Sequence, residues 1–199
     1  MGGTDFMITF QTNIKPVCGR RAFTLVEVLI ASSLGAFVLA GVLSSFLMLG
    51  RSGVNIANYS EMEAQVRRGM EEFAQDIRTA SNVTWNSTTS ITLTVPDNYA
   101  STANLVTYVY DNSSSGATSR CFYRMPGDAT ASNAKTIFIR NIVSGSFARF
   151  DRLNATTTTD PSTKRIQLSL MLRKSGSTLV DTSNIMISAS YILRNKVAI

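Results

Sequence analysis

The sequence contains no histidine. That removes the commonest metal ligand and the commonest general base at neutral pH. It has two cysteines, Cys18 and Cys121, too few for a disulfide framework or a cysteine zinc site. Charged residues make up only 16%, and Lys and Arg come singly or in pairs. A nucleic-acid footprint would gather them on one face or in a run. The balance of 19 basic against 13 acidic residues gives a net charge of +6, a mild bias. No G-x-S-x-G motif occurs, so a membrane-anchored hydrolase has neither its nucleophile elbow nor its base. Asp97, Asp111, Asp128, Asp151, Asp160 and Asp181 are scattered without calcium-loop spacing, and short acidic residues of this kind are turn formers by default. The sequence implies no cofactor and no metal.

One segment lacks charge altogether. From Val28 to Gly50, about 23 residues, no charged residue appears between Glu27 and Arg51. As a helix this stretch crosses a hydrocarbon core of about 30 Å. It is longer, and sits further from the start, than the apolar region of a secretory signal peptide. Lys15, Arg20 and Arg21 precede it, with Asp5 as the one opposing charge. The positive-inside rule then predicts residues before Phe23 in the cytoplasm and the remainder across the membrane.

The junction Arg20-Arg21-Ala22-Phe23-Thr24-Leu25-Val26-Glu27-Val28-Leu29-Ile30-Ala31 resembles the type IV prepilin signature. In that family a basic leader ends in a small residue, an aromatic opens the mature chain, and Glu is its fifth residue. The family usually has Gly before the cut, where this chain has Ala22. A cut after Gly19 would displace Glu27 from its register, so the resemblance implies cleavage between Ala22 and Phe23 and N-methylation of Phe23. It also implies an assembly role for Glu27, pairing with the Phe23 amine of a neighbouring subunit. Without the family, Glu27 reads as a carboxylate at a helix N-terminus, favoured by the helix dipole and able to reach the interface. The partners the resemblance implies are other pilin or pseudopilin subunits, a prepilin peptidase and an inner-membrane assembly platform.

Beyond the span, Gly50 and Gly53 flank Arg51 and loosen the helix. A second helical pattern follows, from Val54 to Ala80. Met62, Val66, Met70, Phe73 and Ile77 recur at steps of three and four and define one apolar face. Glu61, Glu63, Arg67, Arg68, Glu71, Glu72, Gln75, Asp76 and Arg78 fill the others, with i,i+4 pairs Arg67–Glu71 and Arg68–Glu72. Gly69 is a candidate bend.

From Val83 onward Thr, Ser and Asn abound and short alternating runs predict strands: 91–95, 105–110, 120–124, 136–140, 146–150, 165–172 and 185–193. Asn112 to Gly116 reads as a hairpin loop and Asn154 to Ser162 as an exposed loop. Cys121 falls in a strand pattern, where a buried small hydrophobe is the expected reading.

The expected fold is α+β: a long N-terminal helix, its first half transmembrane, packed on an antiparallel β-sheet domain. The expected organisation is a cytoplasmic leader over 1–22, a membrane and filament-core helix over 23–50, the outer half of the helix over 51–82 and a β-rich domain over 83–199. Within the prepilin-like family the pattern is most similar to J-type minor pseudopilins and PilW-like minor pilins. The resemblance implies a structural, non-enzymatic subunit of a type IV pilus or type II secretion pseudopilus, near its tip or initiation complex. The alternative is a single-span anchored domain that binds a ligand or surface and does not assemble. Arg149, Arg152, Lys164-Arg165 and Arg173-Lys174 form a basic grouping of the kind some minor pilins turn to DNA. Solvation of strand edges is the preferred reading of it, and a nucleic-acid role is left unsupported.

Overall fold

The computed structural model of the chain describes residues 22–96, 104–175 and 182–196. The leader up to Arg21, with Lys15, Cys18, Gly19 and Arg20, lies outside the described residues, as do Asp97, Gly176 and Asp181. One helix, α1, spans Leu25–Thr79. It passes unbroken through Gly50, Gly53 and Gly69. By its contacts the chain divides into two units, residues 1–47 and 48–199.

Within the first unit every described residue is exposed. Leu, Val, Ile and Phe side chains lie uncovered around the whole helical surface, among them Leu29, Leu34, Phe37, Leu43 and Phe46. A helix apolar all round is one that apolar surroundings must cover.

The second unit begins with the remainder of α1. Met62, Met70, Phe73 and Ile77 are buried, and Val66 packs half-buried beside them, as the three-and-four spacing predicts. Eight strands follow among the described residues. β1 (Asn82–Ser87), β2 (Ser90–Thr94), β3 (Leu105–Tyr110), β4 (Phe122–Pro126) and β5 (Thr136–Ile139) form a five-stranded antiparallel meander in chain order. β6 (Ile142–Phe150), β7 (Arg165–Ser175) and β8 (Thr182–Ile192) form a second, three-stranded antiparallel sheet.

The strands thus divide into two sheets. The break falls at Arg140 and Asn141, the two residues between β5 and β6. Asn141 has φ +62°, a left-handed conformation that Asn tolerates better than most residues. Nearby, the Ile142 N–H donates to the Arg120 carbonyl and the Arg173 N–H to the Asn141 carbonyl.

Phe73, fully buried, joins the two layers. Its ring centroid lies 4.9 Å from Tyr108 and 5.8 Å from Phe122 of the first sheet, and 5.8 Å from Phe147 and 5.5 Å from Tyr191 of the second. The edge-on pairs add to the area each ring buries. Gly69 does not act as a break. A Cβ there would meet Ile139 Cγ1 and Phe138 Cβ at 3.0 Å, so the missing side chain lets β5 lie close against the helix.

Two polar readings change. Asp76, assigned from sequence to a solvated face, is buried and tied to the first sheet. Among the described residues the ion pairs are Arg124–Asp76, Arg149–Asp160 and Lys174–Glu61. The expected i,i+4 pairs Arg67–Glu71 and Arg68–Glu72 do not close, because exposed pairs of this kind gain little over separate solvation.

Candidate processing and assembly site

Ala22, Phe23 and Thr24 precede α1 in non-helical, exposed backbone, with Phe23 78% exposed. Thr24 is the N-cap. Its side-chain oxygen accepts a hydrogen bond from the Glu27 N–H at 3.3 Å, and its carbonyl accepts from the Val28 N–H at 3.2 Å. Thr24-Leu25-Val26-Glu27 is a capping-box sequence, S/T-x-x-E, with Glu at the third helical position. This signal was legible in the sequence but went unread there. Half of the box is formed: the hydroxyl serves the Glu27 backbone. Among the described residues no hydrogen-bond donor or cation pairs with the Glu27 carboxylate. The cap fixes where the helix begins, and it leaves that carboxylate free at the positive end of the helix dipole.

Three serines in the apolar run return their hydroxyls to the helix. Ser32 donates to the Leu29 carbonyl at 3.0 Å, Ser33 to the Ile30 carbonyl at 2.9 Å and Ser45 to the Gly41 carbonyl at 3.0 Å. Their polar atoms are satisfied internally, which a lipid or protein-core environment demands. Among the described residues α1 is the one helix long and apolar enough to cross a membrane.

The other residues singled out in the sequence have local partners. Cys121 is buried just ahead of β4. Burial pushes its thiol up, against a smaller lowering by Arg140, which is the setting of an unreactive thiol. Asp111 organises the turn after β3, accepting from the Ser113 N–H at 2.9 Å and the Thr118 hydroxyl at 2.7 Å. Burial raises its pKa, but these bonds outweigh it and hold the carboxyl below the usual range. Asp128 accepts from the Thr130 N–H and hydroxyl, and Asp151 from the Ala155 N–H. Both are turn contacts.

The basic grouping is largely spent on the chain itself. Arg149 lies 4.7 Å over the Trp85 ring, pairs with Asp160 and donates to the Thr158 carbonyl. Lys164 donates to the Lys196 carbonyl, and Lys196 to the Asp160 carbonyl. Burial, then the nearby Lys164 and Arg149 charges, lower the Lys196 pKa against the opposing pull of Asp160. Arg165 stacks 4.3 Å over Phe150, and Lys174 pairs with Glu61. Arg152 and Arg173 remain exposed on the surface.

Sequence reasoning missed one buried polar network. Asp76 Oδ2 accepts from the Tyr108 hydroxyl at 2.7 Å and from Arg124 Nε at 2.9 Å. Burial, reinforced by the Asp76 charge, pushes the Tyr108 phenol far above its ordinary value. The network pins α1 to β3 and β4, a structural role. Asp76 lies three residues after Phe73, at the margin of the apolar face, and helical spacing alone does not decide whether a carboxylate there turns inward.

Residues 18–43 match the family model of the prokaryotic N-terminal methylation motif. Comparison with curated proteins and with solved structures finds no similar chain.

Proposed function

We propose that the chain, which carries a prokaryotic N-terminal methylation motif at residues 18–43, is a type IV prepilin-like protein that serves as a minor pilin or pseudopilin, a structural subunit of a type IV pilus or a type II secretion pseudopilus, at the tip or in the initiation complex. The observation that carries this reading is the joint at residues 22–27. A small residue and an exposed Phe precede a capped helix start, a free Glu carboxylate follows at a fixed offset, and a wholly uncovered apolar helix extends from it.

In this reading a prepilin peptidase cuts between Ala22 and Phe23, and the new Phe23 amine is methylated. The amine is mostly protonated at neutral pH. It pairs with the Glu27 carboxylate of an adjacent subunit, which sets the stagger between subunits. Before assembly the span holds the chain in the inner membrane, N-terminus cytoplasmic and β-domain outside, in keeping with Lys15, Arg20 and Arg21 ahead of the span. Extraction by the assembly platform exchanges lipid for the apolar helices of other subunits, so the hydrophobic cost is small. The β-domain remains at the filament surface. The domain divisions at 22, 50 and 82 follow these roles.

The role is structural rather than catalytic. The chain has no histidine, and its thiol at Cys121 is buried. The test is fractionation of cells that carry an active prepilin peptidase and assembly platform. The chain is expected in the sheared-filament fraction, in small amount relative to the major subunit. Retention of all of it in the membrane fraction would favour an anchored domain that does not assemble.

A further inference from the structure

Among the described residues β8 is an edge strand, and from Thr182 to Ile192 it carries none of the features that protect edges. It is proline-free and uncharged from Thr182 to Ile192, and its pairing with β7 runs without a bulge. Other edges are short or irregular: β5 has four residues, and both β1 and β6 have a register shift. Natural proteins blunt exposed edges with charge, proline, bulges or brevity, because unpaired N–H and C=O groups recruit a further strand.

The free groups can be assigned. The Leu193 N–H donates to the Lys164 carbonyl at 2.9 Å. In an antiparallel ladder such bonds recur at every second residue, so Tyr191, Ala189, Ile187 and Ile185 face β7. The N–H and C=O of Asn184, Met186, Ser188, Ser190 and Ile192 therefore point away from it. All five residues are exposed, Met186 at 82%. On the inner face, Ile185, Ile187, Ala189 and Tyr191 are only half-buried, whereas Ile166, Leu168, Leu170 and Leu172 of β7 are fully covered. Among the described residues the sheet is thus one strand short on the β8 side, both in hydrogen bonds and in apolar cover.

We propose that a second copy of this chain fills that place, its β8 pairing antiparallel with the first about a two-fold axis at Ser188. The strand is complementary to itself in this register. Ser188 faces Ser188 of the second copy, Met186 faces Ser190 and Ile187 faces Ala189, so large side chains meet small ones at the centre of the pairing, while Ile185 faces Tyr191 and Asn184 faces Ile192 towards its ends. The outward-facing groups of Asn184, Met186, Ser188, Ser190 and Ile192 meet one another as hydrogen-bonded pairs. No like charges are opposed within the strand. The two three-stranded sheets become one of six strands. Such an isologous contact closes on itself and does not propagate. It is independent of N-terminal processing.

The test uses the full chain in detergent micelles, in a Cys18→Ser background. Wild type is expected to sediment as a dimer, and Ser188→Lys, which sets two like charges opposite each other, as a monomer with unchanged circular dichroism. Ser188→Cys is expected to cross-link between copies on mild oxidation, since facing Cα atoms about 5.5 Å apart suit a disulfide. Thr84→Cys, on the exposed β1 edge, is not. A wild-type monomer at every concentration would overturn the proposal. So would a dimer that survives Ser188→Lys, since another surface would then hold it, or equal cross-linking from Thr84→Cys.

Discussion

Glu27 and Asp76 are both acidic residues of one helix, and their surroundings give them opposite roles. Asp76 is buried with Tyr108 and Arg124. Asp76→Ala would leave a partly buried guanidinium and a phenol without their acceptor, at a cost on the order of 3 kcal/mol, readable as a lower midpoint in denaturant. Tyr108 adds a pH dependence. The folded protein keeps the phenolic proton, while the unfolded chain releases it above about pH 10. Stability from this group is therefore fully present below about pH 10 and lost as pH rises beyond it. Melting curves taken through that range should fall steeply for wild type and less steeply for Tyr108→Phe. Glu27, by contrast, is exposed in the first unit. Glu27→Ala should leave the thermal unfolding of residues 48–199 unchanged while lowering incorporation into sheared filaments. Normal incorporation would reduce Glu27 to a helix-end charge.

At the scale of elements, α1 depends on Phe73 as the β-sheets depend on each other. Phe73→Ala removes a ring that touches both sheets and should cost about 3–5 kcal/mol, measured by denaturant unfolding. Gly69→Val should also destabilise, because a Cβ has no room against Phe138 and Ile139. The stripe Met62–Ile77 and seven of the eight strands could be read from the sequence, since period-three-and-four and period-two burial write themselves directly into residue order. β1 could not. Only Val83 and Trp85 alternate there, and no Gly or Pro marks its turn to β2. The division into two sheets was hidden as well. It turns on Arg140 and a left-handed Asn141 between two strands, and no Gly or Pro marks that joint in the sequence. Asp76 escaped notice because burial of a carboxylate is decided by what lies across from it, here Tyr108 and Arg124 from strands more than thirty residues away. The Thr24 cap was written plainly in the sequence, four residues that the stronger Phe23–Glu27 register obscured.

At the scale of the whole molecule, the first unit is a helix whose apolar surface no other described residue covers, and the second buries a core of its own. The first needs lipid or neighbouring helices around it, and the second needs neither. That division follows from the chain's charge placement, uncharged from Val28 to Gly50 and then mixed polar and apolar beyond. The proposed processing site lies at the other end of that helix, between Ala22 and Phe23. It is tested most directly by intact mass and N-terminal sequencing of the protein recovered from cells with an active prepilin peptidase. The account predicts loss of residues 1–22 and a mature chain that begins with N-methylated Phe23. An uncut chain, or one beginning at Arg20, would contradict it.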